Sequence, residues 1–450
     1  MGFVEVLDVA PIGQRNERLL GFEIEFPVSG WRADRYELSI AGWALGSAGP
    51  PAAIQVQLAI PADDEDSRKV MLASEPPNVE RPDVAARFPA VEHAQRSGFR
   101  LSATLLGVPL EAKLTVVARF DSFVMPLAVL EIRREPLASG FAPVLQPLLL
   151  TTMGRAGSTW MTCLLGAHPQ VVAFEPFRYE PKVAAYWAEV LRTLSHSKSA
   201  SESVQPLSGG PLWWTGSKRS EPAADLGSDR TIEEWLARDA VEQLAAFCQS
   251  RIEAFYLEVA RSQAKPRASC FAERGHSWRA NSIVRELYPD CRRLFLVRDF
   301  RDVLCSRLAF IEKTGMASQF RRDQYGSVED YVRGWMQPSA KWISRLWNEE
   351  RAHSHLVRYE DLVTDPEGIL ASVFRYVGVD SDAATVAATI ASARATSQSR
   401  QDHHKTATSD DASIGRWREE LTPELVAECE DVMGQALVEF GYPIKSEPPQ

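Results

Sequence analysis

The 450-residue sequence has no apolar run that approaches the ~20 residues a transmembrane helix needs. Its first residues also lack a basic segment followed by an apolar core, so no secretory signal is predicted. The six cysteines include no Cys-x-x-Cys pair, which favours reduced core thiols over metal ligands. These absences together predict a cytoplasmic protein without a transmembrane segment.

Basic residues are in the minority. The sequence has 50 Lys and Arg against 60 Asp and Glu, a formal net charge of -10. This charge argues against nucleic acid or an anionic membrane as a general partner, although a basic cleft can exist within an acidic protein. His403 and His404 form a tempting metal-ligand pair, but their polar neighbours favour a solvated loop. No metal site is therefore predicted.

Residues 147–160 read Pro-Leu-Leu-Leu-Thr-Thr-Met-Gly-Arg-Ala-Gly-Ser-Thr-Trp. The apolar start is typical of a parallel strand covered on both faces, and the two glycines allow a tight turn. Ser158 and Thr159 then begin a predicted helix, where free N–H groups, two hydroxyls and the cation Arg155 converge. Because the Gly-Lys-Ser/Thr of ATP-binding P-loops is missing, the segment predicts an anion site without the usual magnesium ligands.

Residues 293–306 repeat the order of apolar strand, polar turn and helix. Arg298 lies at the end of the predicted strand, and Ser306 follows eight residues later, about two helical turns on. An arginine can grip a phosphate with two N–H groups, and a serine can add its hydroxyl. Ligands in open α/β sheets bind outside the carboxyl ends of the strands. We therefore expect both segments to face one crevice and to bind two phosphate groups.

The pairing of these two segments resembles the sulfotransferase family, whose donor is 3'-phosphoadenosine-5'-phosphosulfate (PAPS). Two later stretches strengthen the resemblance: Val-Arg-Tyr-Glu-Asp-Leu-Val-Thr-Asp-Pro-Glu at 357–367, and Ile-Gly-Arg-Trp-Arg-Glu-Glu-Leu at 414–421 leading to Phe-Gly-Tyr-Pro. The resemblance implies an α/β fold, with a P-loop-like parallel sheet flanked by helices. It also implies transfer of a sulfuryl group, with adenosine 3',5'-bisphosphate (PAP) as the product and no required metal.

The resemblance also assigns residues to the donor. The first segment would hold the 5'-phosphosulfate, the second would hold the 3'-phosphate, and the stretch around residue 415 would close over the nucleotide. The cofactor-binding residues assigned in this way are Arg155, Ala156, Gly157, Ser158, Thr159, Trp160, Arg298, Ser306, Gly415 and Arg416. Many relatives have Lys- or Arg-Ser-Gly-Thr-Thr where this chain has Arg-Ala-Gly-Ser-Thr from Arg155, and Pro in place of Phe300, but the charge and at least two hydroxyls are kept.

Three residues are the main candidates for catalysis. Glu175 precedes a proline, which favours extended backbone near a strand end. In tyrosylprotein and several carbohydrate sulfotransferases that look similar around the His168-Pro-Gln-Val turn, the Glu in this position is the general base. His276 is the main rival base, because histidine titrates near neutral pH, and Glu273 is a weaker rival that could instead orient Arg274 or the acceptor. Arg155 would neutralise charge on the leaving group.

The N-terminal third has a different pattern. Residues 1–140 contain short alternating or apolar runs separated by Gly, Pro, Asp and Ser, which is typical of a β-sandwich. The predicted runs are residues 19–26, 36–44, 53–60, 99–105, 113–120 and 123–132. The Pro- and Gly-containing stretch 136–147 is the predicted linker to a sulfotransferase domain at 145–445. The sequence therefore predicts a smaller, all-β, sandwich-like accessory domain followed by the larger α/β domain.

Three irregular stretches interrupt the second domain, at residues 195–230, 313–327 and 396–413. Long loops are commonly binding lids, so we expect the first two on the acceptor side and the third over the nucleotide. The expected acceptor is a hydroxyl, on a carbohydrate or glycolipid. A P-loop kinase and a non-catalytic glycan-binding or scaffold protein stand as alternatives, and the sequence leaves the oligomeric state open.

Overall fold

The computed structural model describes residues 3–13, 16–59, 69–121, 123–174, 181–195, 238–275, 277–404 and 406–444. The chain divides into two compact units. The first comprises Met1–Ala142, Ala185–Arg251 and Trp278–Leu287, and the second comprises Pro143–Ala184, Ile252–Ser277 and Tyr288–Gln450.

The strands of the described residues are β1 (Val4–Pro11), β2 (Leu19–Phe26), β3 (Arg32–Ala33), β4 (Glu37–Gly46), β5 (Ala53–Ala59), β6 (Lys69–Glu75), β7 (Gly98–Thr104), β8 (Glu111–Arg119), β9 (Val124–Arg134), β10 (Gln146–Thr152), β11 (Val171–Val172), β12 (Cys270–Arg274), β13 (Arg292–Val297) and β14 (Ser354–Arg358). The α-helices are α1 (Pro82–Arg87), α2 (Ser158–Ala167), α3 (Val183–Leu194), α4 (Ala240–Ser262), α5 (Trp278–Leu287), α6 (Phe300–Thr314), α7 (Val328–Tyr331), α8 (Gln337–Glu350), α9 (Tyr359–Thr364), α10 (Pro366–Val377), α11 (Ala383–His404), α12 (Trp417–Glu420) and α13 (Pro423–Glu439). None of these helices combines the length and apolar composition that crossing a membrane requires.

Two antiparallel sheets form the N-terminal part of the first unit. Six strands follow the order β3-β1-β9-β8-β5-β6, and three follow the order β2-β4-β7. Along β8, Leu114 and Val116 are buried while Lys113 is exposed, which is the alternation expected of a sheet with one covered face. The predicted β-rich N-terminal region is confirmed. Strands β1, β3 and β6 lie outside the predicted runs, and the apolar stretch of β6, residues 70–73, is only four residues long.

A five-stranded parallel sheet forms the centre of the second unit, in the order β11-β12-β10-β13-β14. The central strand β10 buries Leu148, Leu149 and Leu150, because helices cover both faces of a parallel sheet. One cluster of buried side chains includes residues of β10, α2 and α10, and another includes residues of β13, α6 and α13. The predicted α/β fold is confirmed.

The third irregular stretch was predicted wrongly in part. Helix α11 continues to His404, so residues 396–404 are helical and not a loop. They contain no Gly or Pro and follow an alanine-rich stretch, so an established helix can propagate through their Ser, Gln and Arg residues. Residues 406–413 consist of bends and one short 3-10 turn.

Candidate anion-binding site

The first segment forms a tight turn between β10 and α2. Gly157 has a φ of 88°, and a Cβ atom at this position would lie 2.3 Å from Cδ2 of Tyr359. Glycine is therefore required both by the backbone conformation and by the space. Helix α2 begins at the next residue, and the residue before it, Gly157, has no side chain to cap it. The first N–H groups of α2 are thus available to an anion.

The second segment places Arg298 directly after β13, where its side chain is 4% exposed. Its guanidinium donates to the carbonyl oxygens of Arg155, at 3.2 Å, and of Ser413, and lies 4.7 Å from the ring centroid of Tyr359. Its buried Nε has no hydrogen-bond partner within the described part of the chain. A buried guanidinium with an unused donor is suited to an anion.

One pocket joins the two segments with the stretch that follows α11. The pocket is lined by Arg155, Gly157, Ser158, Thr159, Trp160, Arg298, Ser306, Thr406, Ala407, Ser409, Asp410 and Ser413. Of the predicted binding residues, seven lie in this lining. Ala156 is fully buried beside it, so only its backbone can face a ligand.

Arginine side chains give the pocket its positive charge. The Arg155 guanidinium donates from Nε to the Ser306 hydroxyl at 3.2 Å and lies 4.5 Å from the ring centroid of Phe310. Burial, followed by the like charges of Arg298, Arg307 and Arg416, lowers the pKa of Arg155 to about 10. A bound anion would relieve this repulsion.

Gly415 and Arg416 do not line the pocket but lie beside it. The Arg416 guanidinium donates to the Thr406 hydroxyl at 3.0 Å and to the Glu420 carboxylate at 2.6 Å. The same Thr406 hydroxyl is 3.2 Å from the Ser306 hydroxyl. Arg416 thus reaches the pocket lining through Thr406.

Sequence reasoning gave no binding role to Arg274, which ends β12. Its Nη1 donates to the hydroxyls of Ser158 and Thr159, at 3.2 and 3.3 Å. Because β12 is the parallel neighbour of β10, the strand-end rule applied to Arg298 could have identified Arg274 as well. The adjacent Glu273 is 1% exposed and accepts hydrogen bonds from the Ala184 N–H and the Tyr256 hydroxyl, which indicates a structural role.

The two candidate bases, Glu175 and His276, lie outside the described residues. In the acidic stretch after β14, Glu360 accepts hydrogen bonds from the Asp299 N–H at 3.0 Å and from the Tyr442 hydroxyl at 2.8 Å, which joins this stretch to the end of β13.

The family model of the sulfotransferase family matches residues 147–383, more than half of the chain. The chain belongs to the sulfotransferase family. It is therefore a transferase, and its parallel sheet flanked by helices is that of the sulfotransferase fold.

Several solved sulfotransferase structures are similar to the chain. The sulfotransferase domain from the curacin biosynthetic pathway is 15% identical, covering 67% of this chain and 100% of that one, with a TM-score of 0.38. Sulfotransferase STF9 from Mycobacterium avium is 17% identical, covering 68% and 79%, with a TM-score of 0.33. Mouse sulfotransferase SULT7A1, complexed with PAP, is 11% identical, covering 66% and 87%, with a TM-score of 0.34. No curated protein matches the chain.

Proposed function

We propose that the protein transfers a sulfuryl group from PAPS to an acceptor hydroxyl. The observation that carries this proposal is that one pocket is lined both by the helix N-terminus at Ser158 and by Arg298 and Ser306. Two groups of anion-binding residues in one pocket fit a donor with a 5'-phosphosulfate and a 3'-phosphate. The unused Nε of Arg298 supports the fit, since a phosphate oxygen would supply its acceptor.

The donor's two ends are assigned by position. The N–H groups of α2, with Arg155 and the hydroxyls of Ser158 and Thr159, bind the 5'-phosphosulfate, and Arg274 adds a second guanidinium there. Arg298 and Ser306 bind the 3'-phosphate, and Arg416 closes over it. Trp160, the aromatic residue in the described pocket lining, offers a face for stacking on the purine. The proposal assigns charge neutralisation to guanidinium groups and requires no metal.

The reaction is an in-line displacement. The acceptor oxygen attacks sulfur, the bond between sulfur and the 5'-phosphate oxygen breaks, and PAP leaves. Glu175 accepts the proton of the acceptor hydroxyl as general base, with His276 as the alternative. Arg155 and Arg274 stabilise the negative charge that develops on the departing phosphate.

The acceptor we propose is a hydroxyl of a carbohydrate or glycolipid. The support is the position of Glu175 after the His168-Pro-Gln-Val turn, where several carbohydrate sulfotransferases, as well as tyrosylprotein sulfotransferases, carry their base. The cytoplasmic location and the division into an accessory domain at 1–140 and a sulfotransferase domain at 145–445 stay predictions of the sequence.

Isothermal titration calorimetry of PAP without added metal tests the donor site. We expect micromolar binding to the wild type and a loss of about 100-fold in affinity in Arg298→Ala, since a buried guanidinium is removed from its anion. Arg333→Ala is the matched control, because Arg333 is 61% exposed and pairs with Glu428 on the surface. Absence of binding, or binding that is unchanged in Arg298→Ala, would disprove the donor assignment.

The alternatives give different results in the same experiment. A P-loop kinase would bind ATP with magnesium more tightly than PAP. A non-catalytic scaffold would bind PAP but would transfer no sulfuryl group to any member of a carbohydrate and glycolipid panel, and Glu175→Gln would change nothing.

A further inference from the structure

Asp302 links the helix of the second segment to the stretch that carries Arg416. It lies in the first turn of α6, and its side chain is 1% exposed. Its Oδ2 accepts a hydrogen bond from the N–H of Gly415 at 2.7 Å, and its Oδ1 accepts one from the N–H of Trp417 at 3.0 Å. The carboxylate therefore fixes the backbone on both sides of Arg416.

Helix α6 also carries Ser306, one turn beyond Asp302. The hydroxyl of Ser306 and Nη1 of Arg416 lie 3.2 and 3.0 Å from the same atom, Oγ1 of Thr406. The hydroxyl of Ser306 and the guanidinium of Arg416 thus converge on one spot, and both groups can donate to a phosphate oxygen bound beside it. Asp302 and Ser306 both lie on α6, and Asp302 holds the backbone beside Arg416. Helix α6 therefore sets the distance between Ser306 and Arg416.

We propose that Asp302 is a positioning residue, which holds Arg416 where it binds the donor's 3'-phosphate and so makes the site selective for 3'-phosphorylated nucleotides. This inference rests on the proposed function. Asp302 does not touch the nucleotide and acts through Arg416. An aspartate suits this task because both of its oxygens accept, whereas an asparagine would turn an N–H donor towards one of the two backbone N–H groups.

The experiment compares the affinity for PAP with the affinity for adenosine 5'-phosphate, which lacks the 3'-phosphate. We expect Asp302→Asn to weaken PAP binding about ten-fold, the loss of one charge-assisted hydrogen bond, and to change adenosine 5'-phosphate binding less than about two-fold. Arg416→Ala should show the same selectivity loss. In the double variant, Asp302→Asn should weaken PAP binding by less than about two-fold beyond Arg416→Ala alone, since both changes remove the same interaction.

Two further variants separate positioning from folding. Asp361→Asn is the control, because Asp361 is 46% exposed and its nearest ion-pair partner, Arg358, is 3.9 Å away. Asp302→Glu keeps the charge but displaces the backbone of Arg416, so an intermediate loss of selectivity is expected even if Asp302→Asn does not fold.

Equal weakening of the binding of both nucleotides by Asp302→Asn, or affinity losses of Asp302→Asn and Arg416→Ala that add up in the double variant, would overturn the positioning role. A wild type that binds PAP no better than adenosine 5'-phosphate would overturn the proposed function itself.

Discussion

The hydroxyl of Tyr442 donates a hydrogen bond to the carboxylate of Glu360 at 2.8 Å. The other oxygen of this carboxylate accepts from the N–H of Asp299, the residue that follows Arg298 and caps α6. The Phe-Gly-Tyr-Pro segment near the C-terminus is thus joined, through one carboxylate, to the strand end that carries Arg298. Burial raises the pKa of Tyr442 well above its ordinary value, so the hydroxyl stays protonated and can donate.

Tyr442→Phe should lower the free energy of unfolding by about 1–2 kcal/mol, because the buried carboxylate of Glu360 loses a donor. Chemical denaturation followed by fluorescence measures the change. Tyr186→Phe is the control, since Tyr186 is 63% exposed and its substitution should stay within about 0.5 kcal/mol. Equal effects of the two substitutions would contradict the bracing role.

Gly157→Ala should reduce the affinity for PAP more than about ten-fold, because the new Cβ would collide with the Tyr359 ring and shift the anion-binding turn. Gly378→Ala separates this collision from backbone strain. Gly378 has nearly the same φ, 86°, but has no atom within 4 Å of an added Cβ. Gly378→Ala should lower the free energy of unfolding by about 1 kcal/mol and leave the affinity for PAP unchanged. A similar affinity loss in both variants would show that strain alone is responsible.

Arg274→Gln should weaken binding of adenosine 5'-phosphate about ten-fold, because a cation beside the hydroxyls of Ser158 and Thr159 is lost. The ratio of the affinities for PAP and for adenosine 5'-phosphate should be unchanged in Arg274→Gln, whereas Asp302→Asn should lower this ratio. Arg267→Gln is the control, since Arg267 is 64% exposed and pairs with Asp380. Calorimetry that finds full affinity in Arg274→Gln would remove this residue from the site.

Iodoacetamide at pH 8 should label Cys163 and Cys291 first, because these two thiols are partly exposed. The other four are buried, and burial raises the pKa to about 11 for Cys248 and to about 12 for Cys270, Cys305 and Cys429. Thiolate is the reactive form, so these four should react only after denaturation. Peptide mass spectrometry measures the sites, and rapid native labelling of Cys305 would contradict the buried arrangement.

The same buried thiols predict a loss of stability in alkali. Unfolded cysteines ionise near pH 9, whereas the folded Cys429 keeps its proton until about pH 12. The unfolded state therefore loses protons first, so stability is full below pH 9 and falls as the pH rises towards 12. Denaturation midpoints from pH 7 to 10.5 measure the slope. Cys429→Ala should flatten it, and an unchanged slope would assign the effect to other groups.

The two binding segments could be predicted from local sequence. An apolar run bounded by glycine predicts a buried strand before a turn, and the turn's hydroxyls and arginines predict an anion site, because these properties depend on neighbours along the chain. The strands β2, β4, β5, β7, β8 and β9 followed from the same reasoning. Thr406 escaped it because its partner, Ser306, is 100 residues away.

By itself the sequence determined the fold class, the family and two turns whose residues line one pocket, since each depends on short patterns of apolar, glycine and charged residues. Only the tertiary structure decided which arginines meet at or beside the pocket and which carboxylates contact the backbone next to them. The parallel order β11-β12-β10-β13-β14 brings Arg274, Arg155 and Arg298 to adjacent strand ends. Asp302 reaches Gly415 across 113 residues. Such contacts depend on strand order and helix packing, which no local pattern specifies.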